Sequence, residues 1–223
     1  EICACLVGSE MCIRDRHNVN GLFVYTMRES KQSNPYITNL QLSLPNRNIG
    51  FAGRMAYNYD YRYMVELNFG YNGSERFAEN NRWGFFPSVG AGWMLSNEKF
   101  FEPLRGVFDQ FKIKATYGMA GNDQIGDNKD RFYYMSDVNN GADNTVNWGE
   151  RLDYNLGGGF YVNRYANDQI GWEKSYKLNA GIEFVTTFGL GGTVEYFREK
   201  RENILLGRTI PSTTGITQEV KAN

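Results

Sequence analysis

The chain has 223 residues, 24 basic and 25 acidic, for a formal net charge of −1, a balance that removes the electrostatic case for nucleic-acid binding. Mean hydropathy is −0.54 and no apolar run is long enough for a membrane helix, a test that says nothing of a β-barrel, in which only alternate residues meet lipid. Gly (25), Tyr (15) and Phe (15) are abundant, which suits long strands with aromatic ends and open loops.

Residues 1–16, EICACLVGSEMCIRDR, stand apart from the rest. They hold all three cysteines, Cys3, Cys5 and Cys12, and follow neither the helical nor the strand period. A charged start, a sustained apolar run and a small-residue cleavage site are missing, so the segment does not read as a secretory signal. Its cysteines lack a paired C-x-x-C spacing for zinc, even with His17 added. The run CLVGSEMCIRDR resembles translated sequencing-adapter read-through. Residues 1–16 are therefore expected to be non-native, and no redox compartment is read from the cysteines. Residues 17–223 are taken as one unit.

From Val19 to Met27 the residues Val19, Phe23, Tyr25 and Met27 share one face, as in a strand. A polar stretch with Pro35 and Pro45 follows as an exposed loop. Asn48–Leu95 carries the clearest pattern. Ile49, Phe51, Met55, Tyr57 and Tyr59 oppose Asn48, Gly50, Ala52, Arg54 and Asn58. After a turn near Asp60, Tyr61, Tyr63, Val65, Leu67, Phe69 and Tyr71 oppose Arg62, Met64, Glu66, Asn68 and Gly70. Such strands exceed the usual soluble length of about 5–6 residues and suit a tilted membrane crossing of about 9–11. Tyr57, Tyr59, Tyr61 and Tyr63 cluster at one strand end, as in an interfacial aromatic girdle.

The loop GSERFAENNRW leads to a further strand with Trp83, Phe85, Val89, Ala91, Trp93 and Leu95 on one face. Asn97–Gln110 is a connector with a helical turn. Phe111–Met119 is again a strand, with Phe111, Ile113, Ala115, Tyr117 and Met119 opposed to Lys112, Lys114, Thr116 and Gly118. Residues 121–170 form the longest connection, with hairpins expected near Phe132–Met135 and Phe160–Tyr165. Trp172–Phe188 is a strand in which Tyr176, Leu178, Ala180, Ile182 and Phe184 oppose Glu173, Ser175, Lys177, Asn179 and Glu183. The chain turns at Gly189 and returns through Val194 and Tyr196 toward Leu206. Connections alternate long and short, the rhythm of a transmembrane barrel with short inner turns and long outer loops.

Catalytic constellations are sought without success. The single histidine, His17, adjoins the suspect segment, so no Ser-His-Asp or Cys-His set can be assembled. There is no G-x-S-x-G, phosphate loop or H-E-x-x-H. Gly189, Gly191 and Gly192 are explained by a turn. Asp123, Asp127 and Asp130 miss the spacing of a calcium loop and read as solvated carboxylates. Glu173 and Glu183 lie about 33 Å apart along one strand, too far for a glycosidase pair. The polar face, with Arg54, Arg62, Glu66, Asn68, Lys112, Lys114, Lys177 and Glu183, is expected to line a hydrated lumen. Trp148 and Tyr154 are the loop aromatics singled out for stacking on a substrate.

The runs GRMAYNYDYRYMVELNFGYNGSERF, NRWGFFPSVGAGWMLSNEKFF, KIKATYGMAGNDQIG, IGWEKSYKLNAGIEF and VEYFREKRENILLGRTIPSTTG resemble the SusC/RagA family of TonB-dependent outer-membrane transporters, in that family's order, from His17 to Gly215. The resemblance implies an all-β, antiparallel transmembrane barrel wall in the Gram-negative outer membrane and active import of oligosaccharides or oligopeptides without catalysis. It implies a SusD-like surface lipoprotein as cap and TonB acting through a plug domain, and no cofactor or metal. About seven strands, against the roughly 22 of such a barrel, lead to the expectation of an internal piece of its later half. Two other readings are kept: a small complete outer-membrane barrel or adhesin, and a soluble carbohydrate-binding β-sandwich.

Overall fold

A computed structural model describes residues 2–13, 16–31, 44–125, 132–147, 155–208, 213 and 220–222. Eight strands form one antiparallel sheet: β1 (Ile2–Ile13), β2 (His17–Ser30), β3 (Asn46–Tyr59), β4 (Tyr63–Ser74), β5 (Trp83–Met94), β6 (Phe108–Asn122), β9 (Glu173–Thr186) and β10 (Gly191–Glu202), in that spatial order. The strands β7 (Asp137–Asn147) and β8 (Asn155–Arg164) pair as a separate hairpin, and β11 (Leu206–Arg208) pairs with β12 (Val220–Ala222). From His17 onward the wall thus has seven strands, each of 12 to 15 residues. The sheet is open, with β1 and β10 as its edges. Among the described residues the sheet does not close on itself, consistent with a partial barrel wall.

Because side chains alternate, the register assigns faces directly. Met55↔Leu67↔Val89↔Tyr117↔Leu178 runs across one face, and Arg54↔Asn68↔Ser88↔Gly118↔Lys177 across the other. The apolar row is the open one: Leu67 is 45% exposed and Val65 41%. Along β4 exposure alternates without a break from Tyr63 to Asn72. In a sandwich this apolar face would lie against a second sheet; here it is bare, as a lipid-facing wall requires. That exposure fits a transmembrane wall better than a soluble sandwich.

Aromatic pairs bound the apolar band. At the short-turn end Tyr59 stacks on Tyr63 (centroids 6.4 Å) and Tyr63 on Trp93 (6.2 Å); at the long-loop end Tyr71 stacks on Trp83 (4.8 Å). The strand path from Tyr63 to Gly73, which faces Trp83, is about 33 Å, or about 25 Å along the membrane normal at a tilt of about 40°. That matches the apolar band of an outer-membrane barrel.

Several local details differ from expectation. Asp60 and Tyr61 lie in the turn, both at positive φ (51° and 53°), closed by the Arg62 N–H donating to the Tyr59 carbonyl at 2.9 Å; two consecutive left-handed residues are the mark of a type I′ turn. The Asn97–Gln110 connector does contain helical turns, of 3-10 type, at Leu95–Asn97 and Lys99–Leu104. Phe132–Met135 is a turn instead of a hairpin, because Phe132 and Tyr133 are buried in a loop core; the strand near Phe160 belongs to β8. Gly191 and Gly192 open β10, leaving Gly189 (φ 86°) as the turn glycine. Finally, Ile2–Ile13, expected to stand outside the fold, pairs along β2 from Ile2↔Arg28 to Ile13↔His17. A free strand edge offers backbone donors and acceptors to any extended chain, whatever its side-chain pattern.

Candidate functional site: the inner face of the wall

The polar face of β3–β6 and β9 lines a concave trough of about 670 Å³, with Met64, Glu66, Asn68, Lys112, Lys114 and Lys177 among its lining residues. Small residues keep it smooth. Lys114 stands between Gly92 on β5 and Gly181 on β9. With no side chain at Gly181, the ammonium crosses β9 to reach Glu195 on β10, while also holding Glu183 Oε1 at 2.6 Å. A Cβ on Gly181 would lie 3.2 Å from Lys114 Cε and 3.0 Å from Glu195 Cγ, so the glycine keeps this path open. Lys112 adds a looser contact to Glu183 at 3.7 Å. Toward β3, Arg54 pairs with Glu66 at 2.8 Å, and Asn68 Nδ2 donates to the same carboxylate at 2.9 Å.

These pairs are partly solvated, and each contributes only about 0–1 kcal/mol to stability. Their effect is electrostatic. Fixed charges of both signs neutralise one another along the inner face, leaving a wet surface without a strong field of either sign. Arg62 departs from the expected lumen set: it pairs with Asp60 at 3.1 Å and Glu98 at 3.7 Å in the short turns. Glu195, which completes the Lys114 cluster, was not singled out from the sequence. Its signal was the parity of β10, where Thr193, Glu195, Glu199 and Arg201 share one face, interrupted by Phe197, with Thr193 and Glu195 opposite Glu183 and Gly181.

At the long-loop end lies the described core. Phe77, Phe86, Ile125, Tyr133, Ile170 and Trp172 are all buried in one cluster. The ladder between β5 and β6 runs only from Ser88↔Gly118 to Met94↔Lys112, and Pro87, which has no N–H to offer, stands where it stops. Phe86 fills the resulting notch. Its ring lies so close to Gly121 that a Cβ there would overlap it, and it meets Trp172 edge-on at 5.1 Å. Trp172 Nε1 donates to the Arg82 carbonyl at 3.2 Å, Asn81 Nδ2 to the Asp168 carbonyl at 3.0 Å, and the Arg164 guanidinium lies 4.6 Å over the Tyr133 ring. Three loops are thereby tied to the wall and to each other.

Asp123, considered above for calcium, belongs to this clasp. It accepts from Ser74 Oγ at 2.8 Å and from Asn48 Nδ2 at 3.2 Å, and Ser74 is fully buried. Asp127 and Asp130 lie outside the described residues, as do Trp148 and Tyr154. No group of three or more metal-ligating side chains occurs among the described residues. Glu173 and Glu183 are engaged separately, by Asn122 and by Lys114.

The profile of a family described as "TonB dependent receptor-like, beta-barrel" matches residues 16–221. The chain belongs to the TonB-dependent receptor β-barrel family. Within it the chain is similar to the TonB-dependent receptor SusC of Bacteroides thetaiotaomicron, at 31% identity over 185 residues, 80% of this chain and 17% of that protein. It is also similar to the TonB-dependent receptor P39 of Formosa agariphila, at 28% identity over 205 residues, 92% of this chain and 18% of that one. Among solved structures, the RagAB peptide importer in its closed-closed state superposes with a TM-score of 0.74 at 20% identity, over 100% of this chain and 25% of that one. The chain thus spans under a fifth of the curated relatives it matches. As part of a TonB-dependent receptor of the SusC/RagA type, the open sheet is a partial barrel wall of the Gram-negative outer membrane. Its bare apolar face meets lipid, and its ion-paired face meets the lumen.

Proposed function

We propose that this wall is part of an outer-membrane importer of oligosaccharides or oligopeptides, which draws on TonB through a plug domain, is capped by a SusD-like surface lipoprotein and performs no catalysis. The observation that carries the reading is the two-faced sheet: a bare apolar face between aromatic pairs backs onto a charge-balanced inner trough. Its charges are paired, Lys114 with Glu183 and Arg54 with Glu66, which supports passage of a hydrated solute. The similarity to SusC and to the RagAB peptide importer supports import over adhesion.

The test is uptake of labelled oligosaccharide and oligopeptide pools by the bacterium carrying the native gene. Deleting the gene, or TonB, is expected to abolish uptake of one pool, and the tagged receptor to co-purify with one equivalent of a lipoprotein. Uptake that persists without TonB would overturn the proposal. Trp148 and Tyr154 are our proposed stacking contacts; the double alanine variant should raise the concentration for half-maximal uptake, and an unchanged value would remove them. Residues 1–16 are proposed as non-native, which the genomic reading frame upstream of the His17 codon tests directly.

A further inference from the structure

The apolar band ends differently on its last two strands. On β9 and β10 the register pairs Ile182↔Val194, Ala180↔Tyr196, Leu178↔Arg198, Tyr176↔Lys200 and Lys174↔Glu202. All share the outward parity. Lys200 stands about eleven residues past the turn glycine Gly189 and Lys174 about fifteen before it, while Gly73, opposite Trp83, stands about twelve past Tyr61. At equal rise per residue the two lysines therefore lie at or just beyond the level of the Tyr71–Trp83 pair. Arg198 starts two residues lower, and its long stem lets the guanidinium reach the same level.

Among the described residues Lys174 and Arg198 have no ion-pair partner. Lys200 has Glu202 at 2.6 Å, with the lysine side chain 68% exposed. The rim of β9–β10 thus carries three outward cations against one carboxylate. Elsewhere along the same rim, Glu29 and Arg47 neutralise each other on β2–β3, and β4–β5 present only uncharged rings. Among the described residues the excess is local to β9–β10, and it continues the lipid-facing surface.

We propose that Lys174, Arg198 and Lys200 bind the phosphate-bearing headgroups of lipids in the outer leaflet. The chemistry fits: a guanidinium grips phosphate oxygens in a bidentate manner, and ammonium groups add point charges. Acyl chains of the same lipid would lie along Val194, Tyr196, Leu178 and Ile182, which are exposed. Each cation at a membrane surface is worth about fivefold in affinity for anionic lipid. The inference does not depend on which solute the receptor moves.

The test is native mass spectrometry of the full-length receptor titrated with phosphatidic acid and with diacylglycerol of the same chains, which lacks the phosphate. The wild type is expected to hold phosphatidic acid at least about tenfold more tightly than diacylglycerol. The Lys174→Gln, Arg198→Gln, Lys200→Gln triple variant should lose that preference, while Glu29→Gln with Arg47→Gln keeps it. The three single variants, each expected to bind about fivefold more weakly, carry the test if the triple variant does not fold. Unchanged phosphatidic acid binding in the variants, equal binding of diacylglycerol, or displacement of the lipid by an equal concentration of inorganic phosphate would each overturn the proposal.

Discussion

At the scale of residues, the short-turn end shows how one carboxylate organises several rings. Glu98 lies in the β5–β6 connection, outside the membrane-spanning strands, with its side chain only 13% exposed. Tyr63 Oη donates to it at 2.8 Å and Trp93 Nε1 at 3.3 Å, so both rings keep apolar bodies toward lipid and polar tips toward the turn. The Tyr63 hydroxyl foremost, then Trp93 and the Arg62 charge, hold the Glu98 carboxyl below the usual carboxylate range against the opposing effect of burial. A carboxyl depressed in the folded state stabilises above its unfolded pKa, and the contribution is lost as pH falls through the folded value. The stability difference between wild type and Glu98→Gln, from guanidinium unfolding of the receptor in detergent, should be constant above about pH 5 and shrink once pH drops below about 4.3. A difference that grows on acidification would contradict this. The alternating pattern showed Tyr63 as a girdle residue and Trp93 on the apolar face of its strand, but not that one glutamate joins them. That contact depends on how two turns, about 35 residues apart in sequence, meet in space.

At the scale of elements, strands with a regular period were legible and their exceptions were not. The alternation of β4 and the parity of β3, β6 and β9 appear in the structure as read, because each strand has one lipid face and one wet face and a slip of one residue would invert both. Phe86 broke the pattern visibly, an aromatic ring at a polar-face position of β5. The sequence could not show why, since the notch it fills is created where β6 leaves β5 for β9 alone. Asp123 is similar: as sequence it is a loop carboxylate, and only the fold brings it to Ser74 and Asn48. The clasp should be costly to break. Phe86→Ala is expected to destabilise by about 3–5 kcal/mol through the cavity it leaves, and Gly121→Ala by about 1–3 kcal/mol by crowding the same ring. Both should expose the β7–β8 hairpin to added protease on intact cells, while Ala91→Gly, on the lipid face away from the clasp, should not. Unaltered protection in Phe86→Ala would show that the loops are held by other means.

At the scale of the whole molecule, the long, short, long order of connections and the seven wall strands were readable from His17 onward, because barrel walls repeat one local rule strand after strand. The β7–β8 hairpin was only partly read, since residues 139–147 are polar and Gly-containing and carry little alternation. The pairing of β1 could not be foreseen from side chains, because backbone groups at an open edge accept strands without regard to pattern. The central claim is that the odd-numbered side chains of β4 face lipid and the even ones a watery lumen. It is tested most directly by placing a nitroxide spin label at each position from Tyr63 to Tyr71 of the full-length receptor in bilayers and measuring collisions with oxygen and with a water-soluble nickel chelate. The expected result is a strict period of two, with oxygen favoured at Val65, Leu67 and Phe69 and the chelate at Met64, Glu66 and Asn68. A reversed phase, or equal accessibility at neighbouring positions, would contradict it.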